Sequence, residues 1–223
     1  MTSSGGRRLV LDDIVDLRAY ERTRPDRRDR IMALKAKRRV AVGPLCTLLF
    51  ENRDTIHWQI QEMARAEKII SDDGILAELA AYNPLIPEPG QLSATMFVEL
   101  TSEVALREWL PKLVGIERHV VVQLADGSGV RAVVEAAHDA QLTRDDITST
   151  VHYVRWELTP GQVAAFSAGP VTVAVDHPAY VATTVLSADT QAELLTDLLA
   201  DPVAGPVAGA VTGAAPGAAV GQP

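Results

Sequence analysis

The chain has 223 residues, 21 Lys and Arg against 29 Asp and Glu for a formal net charge of −8, and is 47% hydrophobic with only 4% aromatic residues. That length buries a core without disulfides or a structural metal, and the lone cysteine, Cys46, excludes an intramolecular disulfide and any multi-cysteine zinc or iron–sulfur site. No apolar run reaches the roughly 18–20 residues that span a bilayer, and the segment MTSSGGRRLVLDD lacks the apolar core of a secretory signal, so a soluble, cytoplasmic protein with no membrane contact is expected.

Charge is unevenly spread. Residues 1–70 carry 15 basic and 10 acidic residues, a balance of +5, which leaves −13 for the remainder. The stretches RTRPDRRDR and KAKRR are either a solvated helix face or a docking surface for an acidic partner. Nucleic acid is disfavoured, because aromatic residues do not interleave the basic ones and the whole chain is acidic.

In chain order, a polar leader over 1–8 precedes a short helix, VLDDIVDLRAYERTR. A second helix, PDRRDRIMALKAKRR, carries Pro25 in its first turn. VAVGPLCTLLFE reads as a strand broken at Gly43-Pro44, within which Cys46 is expected to be a buried, inert thiol. ENRDTIHWQIQEMARAEKII and DDGILAELAAY read as helices, NPLIPEPGQ as a stiff loop, and LSATMFVEL as a strand. EVALREWLPKLVG is expected to be a helix ending at Gly115, and HVVVQLADGSGVRAVVEAA a hairpin around Asp126-Gly127-Ser128-Gly129. After the polar connection HDAQLTRDDITST, the strand VHYVRWEL puts His152, Val154 and Trp156 on one face. A short helix from Thr159-Pro160, a strand–turn–strand in PVTVAVDHPAYVATTVLS, and a helix capped by Ser187 follow. From Asp201 the Ala/Gly/Val/Pro composition lacks large side chains to bury. The expectation is therefore α+β: N-terminal helices packed on a mostly antiparallel sheet or partial barrel formed largely by the C-terminal half. A single domain over 9–199 lies between the leader and a disordered tail over 200–223.

Within ENRDTIHWQIQEMARAEKII, helical spacing puts Ile60, Met63, Ala64 and Ile70 with Ile56 on one apolar stripe. Glu67 falls in its middle and Gln59 at its edge, while His57 points away and is expected to be exposed. A carboxylate on a core stripe needs a partner, so Glu67 is either an ion-pair member, with Arg53 or Arg155, or a site residue. Glu62 and Arg65, three apart, suggest a surface pair. His152 is either a satisfied core histidine or a ligand or base. Asp176, His177 and Tyr180 in DHPAY form a polar cluster at a turn, with Asp176 either capping that turn or serving a site. Together with Glu99, the set Glu67, His152 and His177 has the mixed nitrogen and oxygen donors that iron, manganese or zinc accept. Dinucleotide, phosphate-loop, His-Glu-x-x-His, Cys-x-x-Cys and Gly-x-Ser-x-Gly motifs are all absent.

The phrases GPLCTLLFENRDTIHWQIQEM, YNPLIPEPGQLSATMFVEL, LVGIE, STVHYVRWELT and DHPAY, in this order, resemble the bacterial family catalogued as domain of unknown function 3501, over about residues 9–199. The resemblance maps family motif positions onto Glu51, Asn52, Arg53, Gln59, Gln61, Glu62, Tyr82, Asn83, Glu99, His152, Tyr153, Arg155, Asp176, His177 and Tyr180. It implies no reaction. By gene association it implies a place beside rubrerythrin-like and iron–sulfur proteins. The leading expectation is an accessory protein of an iron-dependent redox system, binding a metal, small ligand or protein partner. Its site residues would be Glu62, Glu67, Glu99, His152, Asp176 and His177, supported by Glu51, Asn52, Arg53, Gln59, Arg155 and Tyr180. The alternative is a metal-dependent enzyme using His and Glu side chains.

Overall fold

The computed structural model describes residues 7–134 and 147–199. The tail expected over 200–223, most of the leader and most of the connection HDAQLTRDDITST lie outside those residues.

A single 3-10 turn, Leu11–Asp13, precedes α1, Leu17–Arg38, which Asp16 caps by accepting from the Ala19 amide. The two helices expected here are one. Pro25 sits inside α1 on its exposed side, where the lost amide hydrogen bond faces water. Contacts to the rest of the fold on both sides of the proline, from Tyr20 and Arg24 to Ile31 and Arg38, hold the helix through it.

The stretch expected to be one strand broken at Gly43-Pro44 folds back on itself as a hairpin of β1 (Arg39–Val42) and β2 (Cys46–Glu51). Gly43 turns it at φ +68, and a side chain there would collide with the Tyr180 hydroxyl. Helix α2, Arg53–Ala66, starts at Asn52, whose side chain accepts from the Asp54 and Thr55 amides at 3.1 and 3.0 Å. Helix α3 is Asp72–Tyr82, and β3 is Gln91–Val98. Helix α4, Glu103–Trp109, stops before Pro111 and well short of Gly115, because proline cannot continue the hydrogen-bond ladder.

The remaining strands are β4 (Val120–Gln123), β5 (Gly129–Arg131), β6 (Val133–Val134), β7 (Val151–Glu157), β8 (Thr172–His177) and β9 (Tyr180–Val185). Two helices complete the fold. Helix α5, Pro160–Ala168, is opened by the Thr159–Gln162 capping box. Helix α6, Ala188–Leu199, has the Ser187 hydroxyl accepting from the Thr190 amide at 3.1 Å.

Among the described residues, six α-helices flank two antiparallel sheets, ordered β1-β2-β3-β7-β6 and β5-β4-β8-β9. This is the α+β architecture expected. Strand alternation divides the five-stranded sheet. One face, with Leu48, Phe50, Leu92, Met96, Val154 and Trp156, joins Val120, Val122, Val173 and Val175 of the other sheet in one apolar core. The opposite face presents the cross-strand rows Arg39–Leu49–Thr95–Tyr153 and Glu51–Ser93–Arg155 toward α1, α2 and α3. A second apolar cluster, centred on Ile56, Ile60, Leu79 and Leu85, fills much of that side.

Arg38, fully buried at the end of α1, fastens α6 to the fold. Its guanidinium reaches Asp197 at 2.8 Å and Glu193 at 3.1 Å. Burial raises the Asp197 carboxyl pKa, and Arg38 opposes that rise. No described helix is long and apolar enough to cross a membrane.

Candidate functional site

Where the helices cover the five-stranded sheet they do not fill it. A cavity of about 500 Å3 remains between α1, α2, the Tyr82–Leu85 segment and strands β2, β3 and β7. Its apolar wall comes from Leu49, Ile56, Leu85, Phe97 and Val151. Its polar groups are Lys35, Glu51, Gln59, Tyr82, Thr95 and Tyr153. The mouth lies where α1 runs into β1, with Met32, Ala36 and Arg39 exposed there.

Glu51 is the floor. It ends β2 with its carboxylate on the helix side of the sheet and is only 6% exposed. The Thr95 hydroxyl donates to one oxygen at 2.6 Å, and the Thr55 hydroxyl donates to the other at 2.5 Å. Both carboxylate oxygens are thus met without any cation within ion-pair distance, among the described residues. Lys35 reaches in from α1. Its ammonium makes no hydrogen bond or ion pair among the described residues. Burial lowers its pKa, and the field of Glu51 partly restores it. Tyr153, half-buried on β7, has its hydroxyl pKa raised by burial and by the nearby Tyr82 and Glu51. A buried carboxylate and an unmatched amine therefore share one largely apolar hollow.

A second hollow, of about 560 Å3, lies between α1 and α2 on their outer side, lined by Tyr20, Arg27, Arg30, His57, Trp58 and Gln61. Many of its polar groups already have partners. The Tyr20 hydroxyl donates to Glu62 at 2.7 Å. Gln61 makes a double hydrogen bond to the Val15 backbone at 2.9 and 3.2 Å. His57 Nε2 donates to the Asp13 carbonyl at 2.9 Å. His57, expected to be exposed, is half-buried, because the Asp13–Asp16 segment crosses α2 on that side; burial lowers its pKa.

The other residues singled out from the sequence are dispersed. Glu67 is exposed, not buried: α2 stops at Ala66, so Glu67 caps the helix end and leaves the stripe. Its proposed partners are engaged elsewhere, Arg53 with Asp13 at 2.9 Å and Arg155 with the Pro84 carbonyl at 3.1 Å. Glu62 pairs not with Arg65 but with Arg24, as a two-pronged fork with both contacts at 2.8 Å, and Arg65 takes Glu21 at 2.6 Å. Glu99 is an exposed partner of Arg39 at 3.3 Å, beside the cavity mouth.

The DHPAY residues diverge because alternate strand positions face opposite ways. Asp176 points outward to Arg131, at 2.6 and 2.8 Å, and to His119 at 3.0 Å, and Arg131 above all holds its carboxyl far below the usual range. His177 points inward and donates from Nε2 to the Val114 carbonyl at 3.1 Å. The Tyr180 hydroxyl bridges the β1–β2 turn, donating to Val42 and accepting from Leu45.

His152 is buried, with Nε2 at 2.9 Å from the Ser149 carbonyl and 3.0 Å from the Thr148 hydroxyl. Its Nδ1 lies 3.8 Å from the buried Glu117 carboxylate. Among the described residues, no three His, Cys, Asp or Glu side chains converge as a metal site. The set Glu67, Glu99, His152 and His177 therefore has no common centre to offer iron, manganese or zinc. Cys46 is buried and its pKa is pushed up to about 12, so the thiol stays protonated and unreactive.

Of the expected residues, then, the cavity gathers Glu51 and Gln59, with Asn52 building the turn beside them. Lys35 was missed because KAKRR reads as a solvated basic face. The register that brings Thr95 and Tyr153 opposite one another is the signal that locates the floor, and it needs the strand pairing.

A family model described as "Protein of unknown function (DUF3501)" matches residues 8–198. A crystal structure of a novel protein of unknown function from Burkholderia pseudomallei K96243 is similar at a TM-score of 0.78 and 39% identity, covering 85% of this chain and 98% of that one. None of the curated proteins matches the chain.

Proposed function

This chain belongs to the family described as Protein of unknown function (DUF3501), and on that premise we propose that it binds a small organic acid or carbonyl compound in the helix–sheet cavity. The observation that carries this reading is Lys35: an amine that lines a hollow of about 500 Å3 and has no hydrogen-bond or ionic partner among the described residues. Small-molecule sites have volumes of roughly 300–1,000 Å3, apolar walls and a few convergent polar groups. Glu51 is already bonded to two hydroxyls, so the group still to be met is cationic, and the ligand meets it with an oxygen. The body of the ligand lies along Leu49, Ile56 and Phe97, with Gln59 and the tyrosines available at its polar end. An accessory role beside rubrerythrin-like or iron–sulfur proteins, which the family resemblance implies, fits a chain whose cargo is organic and whose described His, Cys, Asp and Glu side chains form no metal-binding cluster.

The test is a thermal-shift titration of short-chain carboxylates and oxo-acids against the full chain. A ligand held at a hundred times its dissociation constant stabilises the folded state by about 2.7 kcal/mol. Shifts should appear with wild type and vanish with Lys35→Met, and with Ala36→Trp, which fills the mouth from an exposed position. Shifts indifferent to both substitutions, or none with any compound, would overturn the reading.

A further inference from the structure

We infer that Lys35 is an imine-forming lysine, its Nζ condensing with the aldehyde or keto group of a carbonyl compound in the cavity. The inference rests on the ligand site proposed above and narrows its occupant to the carbonyl class.

Three observations converge. Lys35 stands on helix α1 with its amine unbonded among the described residues, so no ion pair there must be broken before it reacts. The cavity wall opposite is apolar, and a partly desolvated amine loses its proton more readily. Burial does lower the Lys35 pKa, against the opposing field of Glu51. Glu51 itself is fixed by Thr55 and Thr95, so it is a held carboxylate inside the same hollow, able to take and return protons without moving. The charged groups that act on Lys35 are Glu51, Arg39 and Glu62, and Tyr82 and Tyr153 complete the polar lining.

The step needs no redox partner. The amine lone pair forms a carbon–nitrogen bond to the carbonyl carbon. The resulting carbinolamine then loses the former carbonyl oxygen as water, with both amine hydrogens leaving in that water. A C=N bond replaces C=O.

The chain contains only four lysines, Lys35, Lys37, Lys68 and Lys112, so the site of reaction can be mapped. Lys37 and Lys68 are exposed, and Lys112 is paired with Glu108 at 2.9 Å. The experiment incubates the full chain at neutral pH with pentanal or pyruvate and cyanoborohydride, then digests it and locates the reduced adduct by mass spectrometry. A lowered pKa leaves more free amine at neutral pH, so Lys35 should outreact Lys37 several-fold, and Ala36→Trp should abolish that preference. Lys35→Arg should lose the adduct while keeping the wild-type circular dichroism and melting curve. Adduct spread evenly over the lysines, or preference at Lys35 that survives Ala36→Trp, would overturn the inference. If carboxylates still shift the melting temperature in a Lys35-dependent way while no adduct forms, the imine falls and the binding reading stands. If neither occurs, both fall.

Discussion

The two faces of the β1-β2-β3-β7-β6 sheet are built by alternate residues of the same strands, yet they enclose different things. Toward the second sheet, Phe50, Met96, Val154 and Trp156 interdigitate with valines and leave a closed core. Toward the helices, Glu51, Thr95 and Tyr153 line a hollow into which Lys35 projects. The difference follows from the partner surface. A sheet matches the twist of another sheet along its length, whereas three helices laid across it touch unevenly and leave gaps. Stability is concentrated on the first face, and binding chemistry has room only on the second.

The sharpest break of that comparison is on the sandwich face. Trp156 is fully buried and packs on Phe50, with ring centres 5.6 Å apart. Trp156→Ala should cost about 3–5 kcal/mol in urea unfolding, the usual range for a large aromatic truncated in a core. Its indole N–H has no hydrogen-bond partner among the described residues, so Trp156→Phe, which removes that donor and keeps a packed ring, should cost clearly less. Equal losses in the two variants would show that ring packing is not what Trp156 contributes.

On the cavity face the expected cost is smaller and functional loss larger. Glu51→Gln replaces one charged acceptor oxygen by an amide nitrogen, and one of the Thr55 and Thr95 hydroxyls must turn to accept. Bonds to a charged group contribute about 1.5–3 kcal/mol; Glu51→Gln should lose about 1–2 kcal/mol of stability while slowing adduct formation at Lys35, because the held carboxylate that takes and returns protons is gone. A loss as large as that of Trp156→Ala would mean that Glu51 is structural, and would weaken the division between the faces.

Much of the fold could be read from residue order, because it rests on local signals: the Thr159 and Ser187 helix starts, the break at Gly43, and the alternation of His152, Val154 and Trp156. The site was less legible, because it rests on what crosses the chain. Glu62 meets Arg24, Arg38 meets Asp197, and Glu117 meets His152, all partners distant in sequence. A helical wheel places Glu67 on the apolar stripe only if α2 continues to Ile70, and the helix ends four residues earlier. Lys35 reads as one more basic residue until the sheet beneath it is known.

The Arg24–Glu62 fork tests the outer layer of the helical region by pH. Arg24, and secondarily the Tyr20 hydroxyl, hold the Glu62 carboxyl below its usual value. The folded state therefore binds fewer protons than the unfolded chain. The stabilisation is complete above the ordinary glutamate pKa of about 4.3, and is lost as pH falls through the depressed folded value. Both side chains are about a quarter exposed, so solvent screens the pair and its contribution should be about 1 kcal/mol. Arg24→Ala should flatten the acid limb of a stability–pH curve by that amount and leave neutral-pH ligand shifts unchanged.

The smallest effect is expected where helical periodicity pointed most strongly. Glu67→Gln alters an exposed cap residue with no ion pair among the described residues, and should change stability by less than about 0.5 kcal/mol. Because burial, and after it the Glu67 charge across the α2–α3 contact, raises the pKa of Glu78, any change should be slightly favourable, as one of two like charges is removed. A loss above about 1 kcal/mol would instead require a cation held by Glu67 in solution. In that case the helix would extend its apolar stripe past Ala66, and the polar chemistry of this face would not be confined to the cavity.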